Sequence, residues 1–530
     1  MRKLLLASVA ALGVTAALSD AGFAQSADDD SGQAAAPAPG TITVRLNGRF
    51  RAFGGIVNQG DANRPVFYNP ATGGVATAVP NATNTAFGVR STASNAVIAP
   101  VGGAIVAGTG VPATLVGATL QYNKLANYML EEYTRLYPGF DGVAANGLKY
   151  GASIEIRQDN ASGAGGGVYG SPSQQSRQRG ELYIRREWGY IGTDQLGTVR
   201  FGATDGPSSL YMTGNFENFN DGGWNGDVNN FPAPATAPLW PFADVGQLYT
   251  TNKVIYLSPQ FYGVDFGVAF EPSTANVGLG SSNACTGNNA IGPTFIVQSS
   301  QGAGAGCDAL ASTSTGDYTR RRNTVDAGLR YRGTFGPVGL AATVDYIGSG
   351  KIQDSSIALA TGNRNQFDGL SVGIGGIAVT YAGLTVGGMA QGGRFNGQWS
   401  LTPVGAADSS AWLAGASYTF GPIVVGASYY IYYSPGSSGP TGSGFGATGA
   451  TNTGFSPLVG QRRERGVAAG GTYSLAPGLA LMLSYLWADR KENGLDFISN
   501  QTSTPASPNL GANNNYVHSQ VLTLGASLTW

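Results

Sequence analysis

The chain has 530 residues, of which only 12% are charged, about half the share of an ordinary soluble domain. Its formal net charge of −1 gives no case for nucleic-acid or anionic-surface binding, and 82 glycines without a G-X-Y period exclude collagen. Few charges beside 25 tyrosines fit a chain whose outer surface does not all face water.

Residues 1–24 read as a secretory signal: Arg2 and Lys3 at the start, an apolar run from Leu4 to Leu18, and small residues around Ala24. No other stretch approaches the ~18 uninterrupted apolar residues of a spanning helix, so a membrane would be crossed by strands. Residues 25–40, "QSADDDSGQAAAPAPG", form an acidic, Ala/Pro-rich tether with nothing to pack.

Strands begin with "TITVRLNGRFRAF" (41–53). Ile42, Val44, Leu46, Phe50 and Ala52 share one face, and Arg45, Arg49 and Arg51 lie on the other. In a soluble sandwich the apolar face would meet a second sheet; in a membrane barrel it would meet lipid, with the arginines lining a hole. An irregular stretch from 54 to 123 follows. The segment near 124–137, "NKLANYMLEEYTRLY", fits a strand or a helix, and "LKYGASIEIRQD" (148–159) alternates again.

From there short and long connections take turns. "GELYIRREWGYIG" and "GTVRFGATDG" are joined near Asp194, and a long stretch precedes "NKVIYLSP" and "GVDFGVAFEP". A second long stretch leads to "NTVDAGLRYRGTF", turned by Gly336-Pro337 into "VGLAATVDYIG". "GLSVGIGGIAVTYAG" passes at Gly383 into "LTVGGMAQGGRF", and "AWLAGASYTFGP" turns at Gly421-Pro422 into "IVVGASYYIYY". "RGVAAGGTYSLAPG" turns at Pro477-Gly478 into "LALMLSYLWADR", and "YVHSQVLTLGASLTW" closes the chain. The count is sixteen strands, with short turns at one end and long loops at the other. That pattern predicts an all-β, 16-stranded antiparallel transmembrane β-barrel with short periplasmic turns and long extracellular loops. Closure removes edges that lipid would leave unsatisfied. Tyr346, Tyr418, Phe420, Tyr473, Trp487 and Trp530 lie near strand ends, where rings sit at a membrane–water boundary.

Cys285 and Cys307 lie in one Gly/Ser/Asn/Thr-rich segment. In an exported chain a loop-local disulfide is the natural reading, two free thiols the alternative, and two Cys without nearby His fall short of a zinc site.

Two stretches resemble the trimeric general porins of Gram-negative outer membranes. "TNKVIYLSPQFYGVDFGVAF" (251–270) is similar to a hairpin of that family through Asn252, Val254, Tyr256, Ser258, Pro259, Phe261 and Gly263. "GYIGTDQLGTVRFGATDGP" (189–207) resembles the hairpin leading into the family's third loop. The resemblance implies a porin barrel over 41–530 that passes ions and small hydrophilic solutes passively, as a homotrimer, with Trp530 read by the barrel-assembly machinery. It also implies that the third loop, here 205–250, folds inward to form a constriction. Glu217, Asp221 and Asp227 then become its acidic side, and Arg45, Arg49, Arg51, Arg157 and Arg200 its basic wall. A charged side chain facing hydrocarbon would cost about 2–4 kcal/mol at mid-bilayer, which also assigns the arginines to the lumen. Arg185 and Arg186 are adjacent, so strict alternation lets only one of them face inward.

Signs of other chemistry are weak. Glu131 and Glu132 would face opposite ways on a strand, and His518, the only histidine, lacks a triad context and reads as a rim residue. No cofactor is expected; "GGWNGDVNN" (222–230) faintly resembles a calcium nonapeptide, and a calcium ion at Asp221 and Asp227 is the alternative. "RRR" (320–322) and "RRER" (462–465) fit either lipopolysaccharide phosphates or a solvated rim. An enzyme would need a constellation this chain lacks. A substrate-selective channel would need an aromatic slide, for which Tyr429, Ile431 and Tyr433 are candidates; an adhesin would use the long loops. The excess of inward arginines predicts anion preference.

Overall fold

The computed structural model describes residues 38–60, 64–69, 74–80, 87–90, 97–98, 119–123, 127–159, 182–217, 219, 223–225, 228, 231–232, 236–242, 252–273, 322–350, 367–396, 401–403, 406–436, 460–497, 501–502 and 514–530. The signal, most of the tether and both cysteines lie outside them.

Sixteen strands close into one antiparallel barrel. In chain order they are β1 Thr41–Gly60, β2 Tyr128–Val143, β3 Lys149–Asp159, β4 Tyr183–Thr193, β5 Gly197–Ala203, β6 Asn252–Leu257, β7 Val264–Ser273 and β8 Arg322–Phe335. The second half comprises β9 Val338–Gly350, β10 Ser371–Tyr381, β11 Leu384–Arg394, β12 Ser409–Phe420, β13 Ile423–Ser434, β14 Arg462–Ala476, β15 Leu479–Lys491 and β16 Tyr516–Thr529. Each strand pairs with its neighbours in sequence. β1 closes the ring by pairing with β2 (Arg49 opposite Arg135) and with β16 (Arg49 opposite Thr529). The segment that reads equally as helix is β2.

Alternation sets the two faces. Val44 is 79% exposed and Arg45 8%, and the parity runs unbroken to Ile56 outside and Val57 inside. On β15 and β16, Leu481, Leu483, Tyr485, Leu522, Leu524 and Leu528 stand outward, while Ser484, Val521 and Thr523 are buried. Tyr346, Tyr418, Phe420, Tyr473 and Trp530 are exposed on the outer face, as expected of boundary rings. The turns are tight. Ala382 and Gly383 both have positive φ (47° and 83°), the type I′ geometry whose twist matches a hairpin.

The stretch after β1 departs from the irregular loop expected. It carries a five-stranded sheet made of Arg64–Asn69, Gly74–Pro80, Phe87–Arg90, Val97–Ile98 and Thr119–Asn123, with Arg64–Asn69 between Gly74–Pro80 and Thr119–Asn123. Beyond the alternating β1, the sequence there offers only short β-branched runs broken by Gly, Asn and Pro.

The inner wall is not uniformly polar. From β9 to β16 it presents Ile347, Ile374, Met389, Leu413, Met482 and Leu486, all in one buried cluster with loop residues Met212, Phe216, Phe219, Trp224 and Phe231. From β1 to β4 it presents chiefly arginines, tyrosines and carboxylates, with Phe53 and Val57 of β1 joining the apolar cluster.

Candidate functional site

The register places three arginines side by side on the inner wall. Arg49 on β1 lies opposite Arg135 on β2, and Arg135 lies opposite Arg157 on β3. Like charges directly opposite each other destabilise a sheet, so this row is a local conflict of the kind that marks a working surface. Its neighbours soften it. The guanidinium carbons of Arg49, Arg51 and Arg135 lie 5.9, 5.9 and 4.9 Å from the Tyr133 ring. Arg51 donates to Tyr133 Oη at 2.9 Å and to Ser527 Oγ at 3.3 Å, and Arg157 pairs with Glu155. Nearer the turns, Arg45 pairs with Asp141 at 2.5 Å, and Tyr190 donates to the same carboxylate.

Four of the five predicted arginines thus stand on one wall, and Arg200 on β5 lies over the Trp188 ring at 4.5 Å. Arg45, Arg49, Arg51 and Arg157 are all buried, packed among rings and carboxylates. Arg135 and Glu131 belong to this wall and escaped the sequence reading because β2 also fits a helix. Glu131 is buried and Glu132 exposed, as their parity requires.

Arg185 and Arg186 overturn the one-inward rule. The β3–β4 register shifts between Glu155 and Ile156, which face Arg186 and Ile184, so Arg185 is the extra residue of a β-bulge. Both guanidiniums reach Glu155, at 3.4 and 3.5 Å, and both arginines are buried. A single inserted residue breaks period two and leaves no mark in composition.

The loop after β5 runs inside the barrel. Its root is fastened by Arg186 to Asp205 (2.9 Å), by Lys253 Nζ to the Thr204 carbonyl (2.6 Å), and by Ser208, whose Oγ donates to Asp326 at 2.8 Å. A short helix α1, Pro207–Leu210, follows. The loop then seats aromatic side chains where inward glycines leave room. A methyl at Gly415 would stand 3.0 Å from Phe216, one at Gly426 2.6 Å from Phe219 and one at Gly466 2.6 Å from Trp224, and one at Gly55 would collide with Phe231. Trp224 Nε1 donates to the Trp487 carbonyl at 3.0 Å, Ser519 Oγ to the Thr236 carbonyl at 3.1 Å, and Tyr430 Oη to the Leu239 carbonyl at 3.2 Å. The loop therefore lies along the apolar arc. Burial, reinforced by the Asp265 charge, pushes the Tyr211 hydroxyl well above its ordinary value.

Of the predicted acids, Glu217 is buried on this loop between Phe216 and Phe219, and Asp221 and Asp227 lie outside the described residues. The wall itself supplies acids that the sequence reading missed: Asp265 on β7, Asp326 on β8 and Asp345 on β9. In a ring of sixteen, β9 lies opposite β1. Asp265 is clamped by Arg330 at 3.1 and 2.6 Å and reached by Arg332 at 3.3 Å.

The aromatic slide is also corrected. On β13 the inward residues are Tyr430 and Tyr432, 2% and 0% exposed beneath the loop, so Tyr429, Ile431 and Tyr433 take the outward parity, and Tyr429 packs at a tilt against the outward Trp412. Arg463 and Arg465 share the outward parity of β14 and pair with Asp489 near the loop end. His518 lies opposite Gly60 and Asp489 at that same end.

The sequence profile of the family described as Gram-negative porin matches residues 8–493. The chain belongs to the Gram-negative porin family. No match is found among curated proteins. Among solved structures the porin is similar to an anion-selective porin from Comamonas acidovorans, with 10% identity, 92% of this chain and 100% of that chain covered, and a TM-score of 0.42. It is similar to OmpF of Salmonella typhi in complex with daunomycin, with 11% identity, 92% and 97% covered, and a TM-score of 0.41. It is also similar to OmpT of Vibrio cholerae in its trimer form, with 10% identity, 92% and 99% covered, and a TM-score of 0.42. The porin is an outer-membrane channel for passive diffusion of ions and small hydrophilic solutes, not an enzyme. Lipid lies behind Val44, and the barrel interior lies in front of Arg45.

Proposed function

We propose that this porin is an anion-preferring diffusion channel whose constriction lies between the arginine wall of β1–β5 and the inward loop that follows β5. The observation that carries the reading is the row Arg49–Arg135–Arg157, in which three like charges are held side by side despite the cost. Arg45, Arg51, Arg185, Arg186 and Arg200 add to it, and Glu131, Asp141 and Glu155 balance only part of the sum. Asp326 and Asp345, on strands across the ring, give the far side the opposite sign. Fixed charges of opposite sign across a narrow lumen make a transverse field that orders water and dipolar solutes and favours ions drawn to the basic side.

The same reading extends to assembly and surroundings. The chain works as a homotrimer, its C-terminal Trp530 serves as the signal for barrel assembly, and Arg463 and Arg465 at the outer rim meet lipopolysaccharide phosphates. Membership of the porin family and the outward parity of those arginines support this.

The test is the reversal potential of reconstituted protein across a potassium chloride gradient. Anion preference that falls on neutralising the arginine row is the expected result. Cation preference that survives neutralising Glu217, Asp221 and Asp227 would overturn the reading.

A further inference from the structure

Five carboxylates gather where the inward loop leaves the wall: Asp205 on the loop, Asp265 and Glu271 on β7, Asp326 on β8 and Asp345 on β9, all at least nine-tenths buried. Three have cationic partners. Asp265 has Arg330 and Arg332, Asp205 has Arg186, and Glu271 has Lys253 at 4.0 Å. For the other two no cation lies in ion-pair range among the described residues. Asp326 accepts from the Ser208 amide at 3.1 Å and the Ser208 hydroxyl at 2.8 Å. Asp345 is 3% exposed, and neither of its carboxylate oxygens has a hydrogen-bond partner among the described residues.

The two are diagonal neighbours on the inner face. Asp345 lies opposite Gly328, two residues from Asp326 along β8, and a methyl at Gly328 would collide with Asp345 Oδ1. Asp345 lies within electrostatic reach of Asp326 and, more weakly, of Arg330, and Asp326 within reach of Lys253 and Asp205. Oxygens without a hydrogen-bond partner on the neighbouring residues are Asp205 Oδ1, Thr324 Oγ1 and Tyr211 Oη. Two adjacent buried carboxylates with no cation in ion-pair range are expensive, and carboxylate and hydroxyl oxygens are what a hard cation selects.

We propose that Asp326 and Asp345 hold a partly hydrated divalent cation of the Mg²⁺ class beneath the root of the inward loop. Among the described residues no three acidic, His or Cys side chains converge tightly enough to hold a metal ion. That suits Mg²⁺, which keeps several waters and takes one or two carboxylates from a protein. The ion ties β8 to β9, and through Asp326 and Ser208 it fastens the loop.

The experiment uses full-length protein folded in detergent without lipopolysaccharide, with Mn²⁺ as the probe, counted by electron paramagnetic resonance. Melting midpoints are then compared in Mg²⁺ and in EDTA at matched ionic strength. The site predicts one Mn²⁺ per chain displaced by Mg²⁺, a higher midpoint in Mg²⁺, and loss of both in D345N. Gly328→Ala, which crowds the carboxylate without removing its charge, must weaken Mn²⁺ binding; this keeps the test decisive should D345N fail to fold. Wild-type protein that binds no Mn²⁺, or a D345N protein that keeps both ion and shift, overturns the site. A midpoint that follows pH but not Mg²⁺ overturns it too, in favour of a shared proton.

Discussion

Arg49 and Arg135 face each other directly across the β1–β2 ladder, on the same inner surface of the barrel. Opposite charges would be the stable choice at such a pair, and like charges cost a few tenths to about 1 kcal/mol. Replacing Arg49, Arg135 and Arg157 together by glutamine should lower the anion-to-cation permeability ratio several-fold with the barrel intact. Reversal potentials read the ratio, and heat-modifiable electrophoretic migration checks the fold. An unchanged ratio would place selectivity elsewhere.

Gly466 sits beneath Trp224, and a methyl there would stand 2.6 Å from the indole while also colliding with Tyr430. Gly466→Ala should destabilise the protein by about 1–3 kcal/mol, the usual cost of overpacking, and push the loop toward the lumen. Single-channel conductance should drop. A conductance equal to wild type would show that the loop does not set the narrowest point.

Trp224→Ala tests the same contact from the loop side. The indole is fully buried and donates to the Trp487 carbonyl at 3.0 Å. Its removal should cost about 3–5 kcal/mol of stability. It should also raise current noise, because the loop loses its seat. Thermal unfolding and the open-channel noise spectrum are the two readouts.

Arg185 and Arg186 give a discriminating pair. Both reach Glu155, but Arg186 also pairs with Asp205 at the loop root. Glutamine at either position should reduce anion preference. R186Q should, in addition, lower the voltage at which the channel closes. If both variants close at the same voltage, Asp205 is not a fastener of the loop.

The outer face can be probed at Val344, which is 68% exposed on β9. Val344→Arg should cost about 2–4 kcal/mol if the residue lies near the bilayer midplane. Val344→Thr should be far milder. Unfolding from lipid vesicles in guanidinium separates the two.

The strand plan was legible because lipid and lumen impose opposite tastes on alternate residues, and β1 obeys that rule from Ile42 to Val57. The basic wall was legible for the same reason at Arg45, Arg49, Arg51, Arg157 and Arg200. Three things were not. Arg135 sits in a segment that also fits a helix, and the ladder with β1 decides the matter. The bulge at Arg185 inserts one residue, which no periodicity can announce. Strands such as β10 and β13 are apolar or aromatic on both faces, so composition cannot say which side is inside. That ambiguity put Tyr429 and Tyr433 on the wrong wall and hid the apolar arc beneath the loop, although the double-sided greasiness of "VGIGGIAV" was its visible trace.

The inward loop lies between β5 and β6, yet the wall it covers is built largely from β9 to β16, which the ribosome makes later. Trp224 meets the Trp487 carbonyl across 263 positions of chain. Contacts so distant in sequence form slowly, because a large closure entropy must be met before they stabilise anything. Until then the nascent chain carries Phe216, Phe219 and Trp224 with no partner surface, a sticky segment awaiting its own second half. A chain truncated after β8 would therefore be more than an open sheet: it would be an aggregation hazard, and the transit of this porin to the membrane depends on something keeping that segment apart from its neighbours.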